Sequence, residues 1–156
     1  MKRKLKRIFL VLLIAFALIQ FIRPAKNLGN AEATTDIFHA VTVPDSVKGI
    51  LKMSCYDCHS NDTRYPWYAE VAPASWLLAS HVKNGKKELN FTEFSQLSPR
   101  RMKSKLKSIA EQVQKGEMPL KSYTLIHKNA VLTEAQVRTI KAWADAATQE
   151  LNAKNQ

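Results

Sequence analysis

Both cysteines of the 156-residue chain fall in one five-residue run, Cys55-Tyr56-Asp57-Cys58-His59. The C-x-x-C-H spacing is the sequence signature of covalent haem attachment, in which each thiol adds to a vinyl group and leaves a thioether. The adjoining His59 then supplies an imidazole to one axial position of the iron. In a helical turn, residues 55, 58 and 59 stand at i, i+3 and i+4 and project from one face. The motif therefore asks for a helical turn in a fold that encloses one covalently attached haem c.

Other uses of the run fit less well. A thiol–disulfide oxidoreductase centre needs a βαβ context, and no segment alternates long enough to demand a strand. A structural zinc site needs a second Cys pair or an H-x3-5-H run to complete four ligands, and neither follows. A plain disulfide would leave His59 without a role.

The N-terminus is a separate problem. Lys2, Arg3, Lys4, Lys6 and Arg7 precede the apolar run Ile8–Ile22, broken only by Gln20 and stopped by Arg23-Pro24. A cleavable signal has this layout, but the only A-x-A-like site, Ala31-Glu32-Ala33, lies far beyond the apolar run. The run is short for a span, at roughly 1.5 Å per residue against a core of about 30 Å, and flanking Lys and Arg can snorkel to compensate. The reading favours an uncleaved membrane-anchor helix over residues 1–22. The positive-inside rule then leaves residues 1–7 in the cytoplasm and exports the rest, predicting a single-pass inner-membrane protein with its domain in the periplasm. No Cys follows the run closely, which argues against a lipoprotein anchor.

The net charge of +11 suggests nucleic acid until its distribution is considered. Seven of the 24 Lys/Arg lie in residues 1–31, which hold no acid, so residues 32–156 carry 17 basic and 13 acidic residues, a balance of +4. No nucleic-acid partner is expected. The remaining cluster is Arg100, Arg101, Lys103, Lys105 and Lys107, with Lys83, Lys86 and Lys87 elsewhere. It reads first as a solvated helix face, with docking of an acidic redox partner or a membrane surface as the functional alternative.

Along the chain, residues 23–43 read as a linker and 44–152 as the haem-binding domain. Pro44 suits a first turn, and Val47, Ile50 and Leu51 make an apolar stripe running into the motif. Asn61–Pro73 reads as a loop. A second helix is predicted over Ala74–Lys83, with Gly85 as its C-terminal cap. A third starts at Ser98-Pro99, buries Met102, Leu106, Ile109, Ala110 and Val113, and ends at Gly116. A fourth starts at the capping-box pattern Thr133-Glu134-Ala135-Gln136 and buries Val137, Ile140, Trp143, Ala147 and Leu151. The fold class is all-α.

The iron needs a second axial ligand or an open site. Met118, in Gly116-Glu117-Met118-Pro119, is the leading candidate: a thioether on a loop before the terminal helix can face His59, and His/Met ligation raises the potential and suits electron transfer. His81, on the face of Leu77, is the alternative distal group. His127 and His39 read as surface or hydrogen-bonding residues, Met53 and Met102 as core. Trp67 and Tyr68 are candidates to wall the haem, whereas Trp76 and Trp143 read as core.

The stretches Leu51–Asn61, Tyr65-Pro66-Trp67-Tyr68, Trp76 through His81-Val82, Leu89-Asn90-Phe91 and Gly116–Leu120 resemble the small bacterial haem-binding domain family with a single C-x-x-C-H. The resemblance implies an exported, membrane-tethered haem protein and supplies no settled reaction. A broader similarity is to class I c-type cytochromes, which share the order C-x-x-C-H, then Met-Pro, then a terminal helix opened here by Leu132-Thr133. That similarity implies a small cytochrome c-like domain in which Cys55 and Cys58 are the attachments, His59 the proximal ligand and Met118 the distal one. The chain departs from the compact pattern in Asn61–Asn90, which contains His81.

These readings lead to a monohaem c-type cytochrome that passes single electrons to redox partner proteins, an electron carrier rather than a catalyst. Two alternatives stand beside it. One is a haem enzyme or sensor with an open or labile distal site, peroxidase-like, with His81 as an acid–base group. The other is an accessory haem module of a larger oxidoreductase.

Overall fold

The computed structural model describes residues 1–30 and 33–154. Among them are helices and turns but no strand. The one β-type pairing is an isolated antiparallel bridge between Leu28 and Asp62. Eight α-helical segments follow in order: α1 (Lys2–Ile19), α2 (Ile37–Ala40), α3 (Asp45–Ser54), α4 (Tyr56–His59), α5 (Ala74–Glu88), α6 (Pro99–Gln114), α7 (Lys121–Thr124) and α8 (Glu134–Ala153). Three 3-10 turns, Trp67–Glu70, Phe91–Gln96 and Lys128–Ala130, join them.

The two helices read most directly from spacing form the floor of the fold. Met102, Leu106, Ile109, Ala110 and Val113 of α6 are buried in one cluster with Ile140, Trp143, Ala144, Ala147 and Leu151 of α8. Each large aliphatic side chain moved from water into this seam contributes about 1.5–3 kcal/mol. The capping box opens α8: Thr133 Oγ1 accepts from the Gln136 N–H at 3.2 Å while Gln136 Oε1 accepts from the Thr133 N–H at 2.8 Å. Ser98 occupies the cap position of α6 without a side-chain bond, so Pro99 in the first turn marks that start alone. Val47 and Leu51 of α3 close the core from above.

Three expectations change. Residues 23–43, read as a linker, pack on the domain over much of their length. Asn27 bonds to the Ser60 carbonyl and Thr63 Oγ1, both at 2.9 Å, and accepts from Lys86. Ile37, Val41 and Val43 are core residues, and Asp36 is buried. Their apolar side chains are too sparse to show a period, which is why they read as irregular.

The second difference is α5, which runs five residues beyond Lys83, with Gly85 inside it rather than after it. A Cβ on Gly85 would stand 2.5 Å from the Cys58 carbonyl oxygen, so this glycine is the point where α5 and the C-x-x-C-H turn touch backbone to backbone. Third, Met53 is 39% exposed and Trp76 is half-buried, its indole N–H donating to the Ile22 carbonyl at 2.8 Å; neither belongs to the core cluster.

The expected anchor over residues 1–22 forms a helix, α1, with no buried residue. Five of its first six residues are Lys or Arg, which leaves Ile8–Ile19 as its uncharged part, about 18 Å at 1.5 Å per residue. No helix among the described residues is long and apolar enough to cross a membrane. The Ala31-Glu32-Ala33 site falls on residues 31 and 32, outside the described residues.

Candidate functional site

The C-x-x-C-H run is a single helical turn set off from α3 by a break at Cys55 (φ −128°, ψ −40°). The N–H groups of Cys58 and His59 both donate to the Cys55 carbonyl, at 3.2 and 3.0 Å, which closes the turn. Cys55, Cys58 and His59 line the same cavity of ≈ 270 Å³, with His81, Asn84, Gly85, Met118 and Tyr123 among its other walls. A second cavity of ≈ 260 Å³ adjoins it through Ser54, Cys55, His59, Glu88, Met118 and Pro119, and extends to Phe91, Lys105, Ile109 and Val113. Together they reach the span of about 300–1,000 Å³ typical of cofactor sites.

His59 is oriented by the chain rather than by solvent. Its Nδ1 lies 3.0 Å from the Leu89 carbonyl oxygen, an acceptor only, so Nδ1 carries the proton and donates. Nε2 is then the lone-pair nitrogen, the tautomer a metal-binding imidazole requires. Burial lowers the imidazole's pKa, and the Lys105 charge adds to that, while the carbonyls of Leu89 and Gly85 oppose them. The neutral ring is the form that ligates.

The two residues between the cysteines hold the turn in place, and neither was singled out by sequence reasoning. Tyr56 is stacked between Phe38 (5.3 Å, 13°) and Phe91 (5.0 Å, 9°), and its hydroxyl donates to buried Asp36 at 2.9 Å. Asp57 accepts from Arg64 Nε at 2.9 Å and from the Tyr123 hydroxyl at 2.7 Å. One side of the turn is thus pinned inward and the other to the loop that carries Tyr123. The only local signal was their position inside the motif, because Asp36, Phe91 and Tyr123 are remote in sequence and Arg64 alone, seven residues on, is near.

Cys55 and Cys58 are free thiols. Burial pushes them up to about 12 and about 11, with the neighbouring Cys58 and Asp57 charges adding to the effect. Among the described residues no group of three His, Cys, Asp or Glu side chains is arranged to hold a bare metal ion.

Met118 reaches both cavities from the turn after α6. Gly116 takes φ +66°, its N–H bonds to the Val113 carbonyl at 3.2 Å, and the Glu117 N–H bonds to the Gln112 carbonyl at 3.0 Å. This is a Schellman closure, and it turns the chain so that Met118 faces the cavity. His81 lines the ≈ 270 Å³ cavity with it. Trp67 and Tyr68, candidates for a haem wall, do not line either cavity: Trp67 is 80% exposed, and Tyr68 Oη lies 2.7 Å from His127 Nε2. Tyr123, stacked on His127 at 4.3 Å, is an aromatic side chain that does line the ≈ 270 Å³ cavity. Phe91 is the other aromatic wall, 6.1 Å from the His59 ring.

A family model described as a haem-binding domain matches residues 14–146. The chain belongs to the haem-binding domain family. No curated protein and no solved structure matches it. The haem-binding domain protein has a donor set that suits its cofactor: two thiols, an imidazole whose Nδ1 is held by the Leu89 carbonyl, a thioether and apolar walls from Leu89, Phe91, Ile109 and Val113. Haem therefore fits these residues.

Proposed function

We propose that this haem-binding domain protein is a monohaem c-type cytochrome that passes single electrons. The observation that carries the reading is the convergence of Cys55, Cys58, His59 and Met118 on adjoining cavities, with the His59 tautomer set by the Leu89 carbonyl. A bound haem supplies a one-electron iron centre whose potential follows its axial ligands and burial. In this reading Cys55 and Cys58 would hold the haem through thioethers, each S–H adding across a vinyl group, sulfur to one carbon and hydrogen to the other. His59 Nε2 and Met118 Sδ would be the donors to its iron. Phe91, Ile109 and Val113 would keep water from it.

The same reading takes α1 as a tether at the outer face of the inner membrane, with the domain in the periplasm. Its support is a helix whose apolar side chains from Leu5 to Leu18 lie bare and whose first turns carry five basic residues. Gln20 exchanges two hydrogen bonds with the Ala72 backbone, and Glu70 pairs with Arg23 and Lys26, so a tethered domain would be held at one orientation.

Denaturing gels stained for haem test the attachment: protein matured in a host with c-type haem assembly should retain stain, and Cys55→Ala/Cys58→Ala should lose it. Met118→Ala should lower the midpoint potential; an unchanged potential and spectrum would remove Met118 from the iron. A second reading is favoured by His81, which shares a cavity with His59 and Met118: an open or labile distal site serving peroxidase-like or sensing chemistry. Rapid stoichiometric carbon monoxide binding by the reduced protein would select it over fixed His/Met ligation.

A further inference from the structure

Among the described residues, Lys105 is the only Lys or Arg lining either cavity. It is half-buried, and among the described residues its ammonium makes no ion pair and no side-chain hydrogen bond. Its neighbours on the same cavity wall are Ser108 and Gln112. The three stand at i, i+3 and i+7 of α6, one polar strip on one face of the helix. Ile109 and Val113 lie beside that strip and line the same cavity with apolar surface. A partly desolvated cation beside an apolar slot, flanked by two neutral donors, is arranged to receive a carboxylate.

The opposite sign is also present. Glu88, at the end of α5, lines both cavities. Its carboxylate repels an anion entering there, so the Lys105 charge decides whether an acidic group is accepted.

We propose that Lys105, with Ser108 and Gln112, is the carboxylate-binding edge of the cavity and pairs with a haem propionate. This rests on the chain binding haem, and does not depend on covalent attachment or on electron transfer. Of the α6 basic cluster, first read as a solvated helix face, Arg100, Arg101 and Lys107 are exposed, Lys103 is half-buried and donates to Asn152 at 2.9 Å, and Lys105 turns to the cavity. Lys105 acts here by orienting the ring: it fixes which edge meets α6.

The test is a cycle in which both partners are altered. The full-length apoprotein, in mild detergent, is titrated spectroscopically with haem and with haem dimethyl ester, whose propionates carry no charge. Wild type should bind the ester about tenfold more weakly than haem, the scale of one charge-assisted hydrogen bond. Lys105→Gln should lose a similar factor for haem and little further for the ester. Lys105→Arg should restore the preference, and Glu88→Gln should tighten haem.

Equal affinity of wild type for haem and its ester overturns the assignment without reference to any variant. Additive losses in the cycle overturn it as well, since they would mean that Lys105 and the propionates act separately. Failure of wild type to bind either ligand is a different result, and counts against haem binding itself.

Discussion

The two walls of the cavity are built by different means. The wall carrying Cys55, Cys58 and His59 is held mostly by long-range contacts: Leu89 on His59, Asp36 on Tyr56, Tyr123 on Asp57, and the bare backbone of Gly85 against Cys58, with Arg64, seven residues on, also holding Asp57. The wall carrying Met118 is aimed by a local device, the helix-end closure at Gly116, with Tyr123 farther along the same loop tied back to Asp57. Several independent segments specify the first wall, whereas the direction of Met118 in the second depends most on one turn.

The largest effect separating the walls should be thiol reactivity. Alkylation proceeds through the thiolate, and burial raises Cys55 and Cys58 from 9.0 to about 12 and about 11. Near pH 8 the folded apoprotein should therefore react more slowly at these positions than the unfolded chain. Mass spectrometry of timed iodoacetamide reactions measures this, and equal rates with and without denaturant would show the wall to be open.

Next in size is Gly85→Ala. The new methyl meets the Cys58 carbonyl, backbone that cannot swing aside. A loss of about 2–3 kcal/mol is expected in denaturant unfolding of the apoprotein. Haem binding should fall with it, because the turn is displaced. An unaltered midpoint would mean that α4 and α5 separate freely, and the contrast between the walls would collapse.

Tyr56→Phe should cost about 1–3 kcal/mol by taking a donor from buried Asp36. Burial already raises the Asp36 pKa above 3.8, although the Phe38 N–H and the Tyr56 hydroxyl oppose it. The folded state therefore binds this proton better than the unfolded chain does. The associated stability is full below about 3.8 and is lost as pH rises through the folded value. Removing the hydroxyl should move that folded value upward and extend the loss to higher pH, as unfolding across pH 3–7 would reveal. An unchanged pH profile would detach Asp36 from the motif.

Gly116→Ala is the smallest of the four, about 1 kcal/mol, since only a left-handed residue is strained there and no atom lies within reach of the new methyl. Its diagnostic effect should fall on Met118: the spectrum and potential of the haem protein should change while the haem is retained. A stability loss equal to that of Gly85→Ala would erase the distinction between a locally and a globally held wall.

Legibility followed the range of the interactions. The C-x-x-C-H turn, the buried faces of α6 and α8, the capping box and Met118 before Pro119 could all be read from spacing, because each is written within about one or two helical turns. The α5 end was missed because Gly85 is a stop signal locally, and its real use, close passage of another backbone, has no local signature. Residues 23–43 were missed because their few buried side chains show no period.

What the sequence determined by itself was the chemistry available: two thiols and an imidazole at helical spacing, a thioether on a turn, and two amphipathic helices to bury. What only the tertiary structure decided was which of those groups meet. Asp36 reaches Tyr56 across 20 residues, Leu89 reaches His59 across 30, and Tyr123 reaches Asp57 across 66. Lys105 likewise leaves its basic neighbours to face the cavity. A local pattern specifies the face a side chain occupies, but the partner opposite that face is set by how distant segments pack, and that packing decides the His59 tautomer and the cavity's charge.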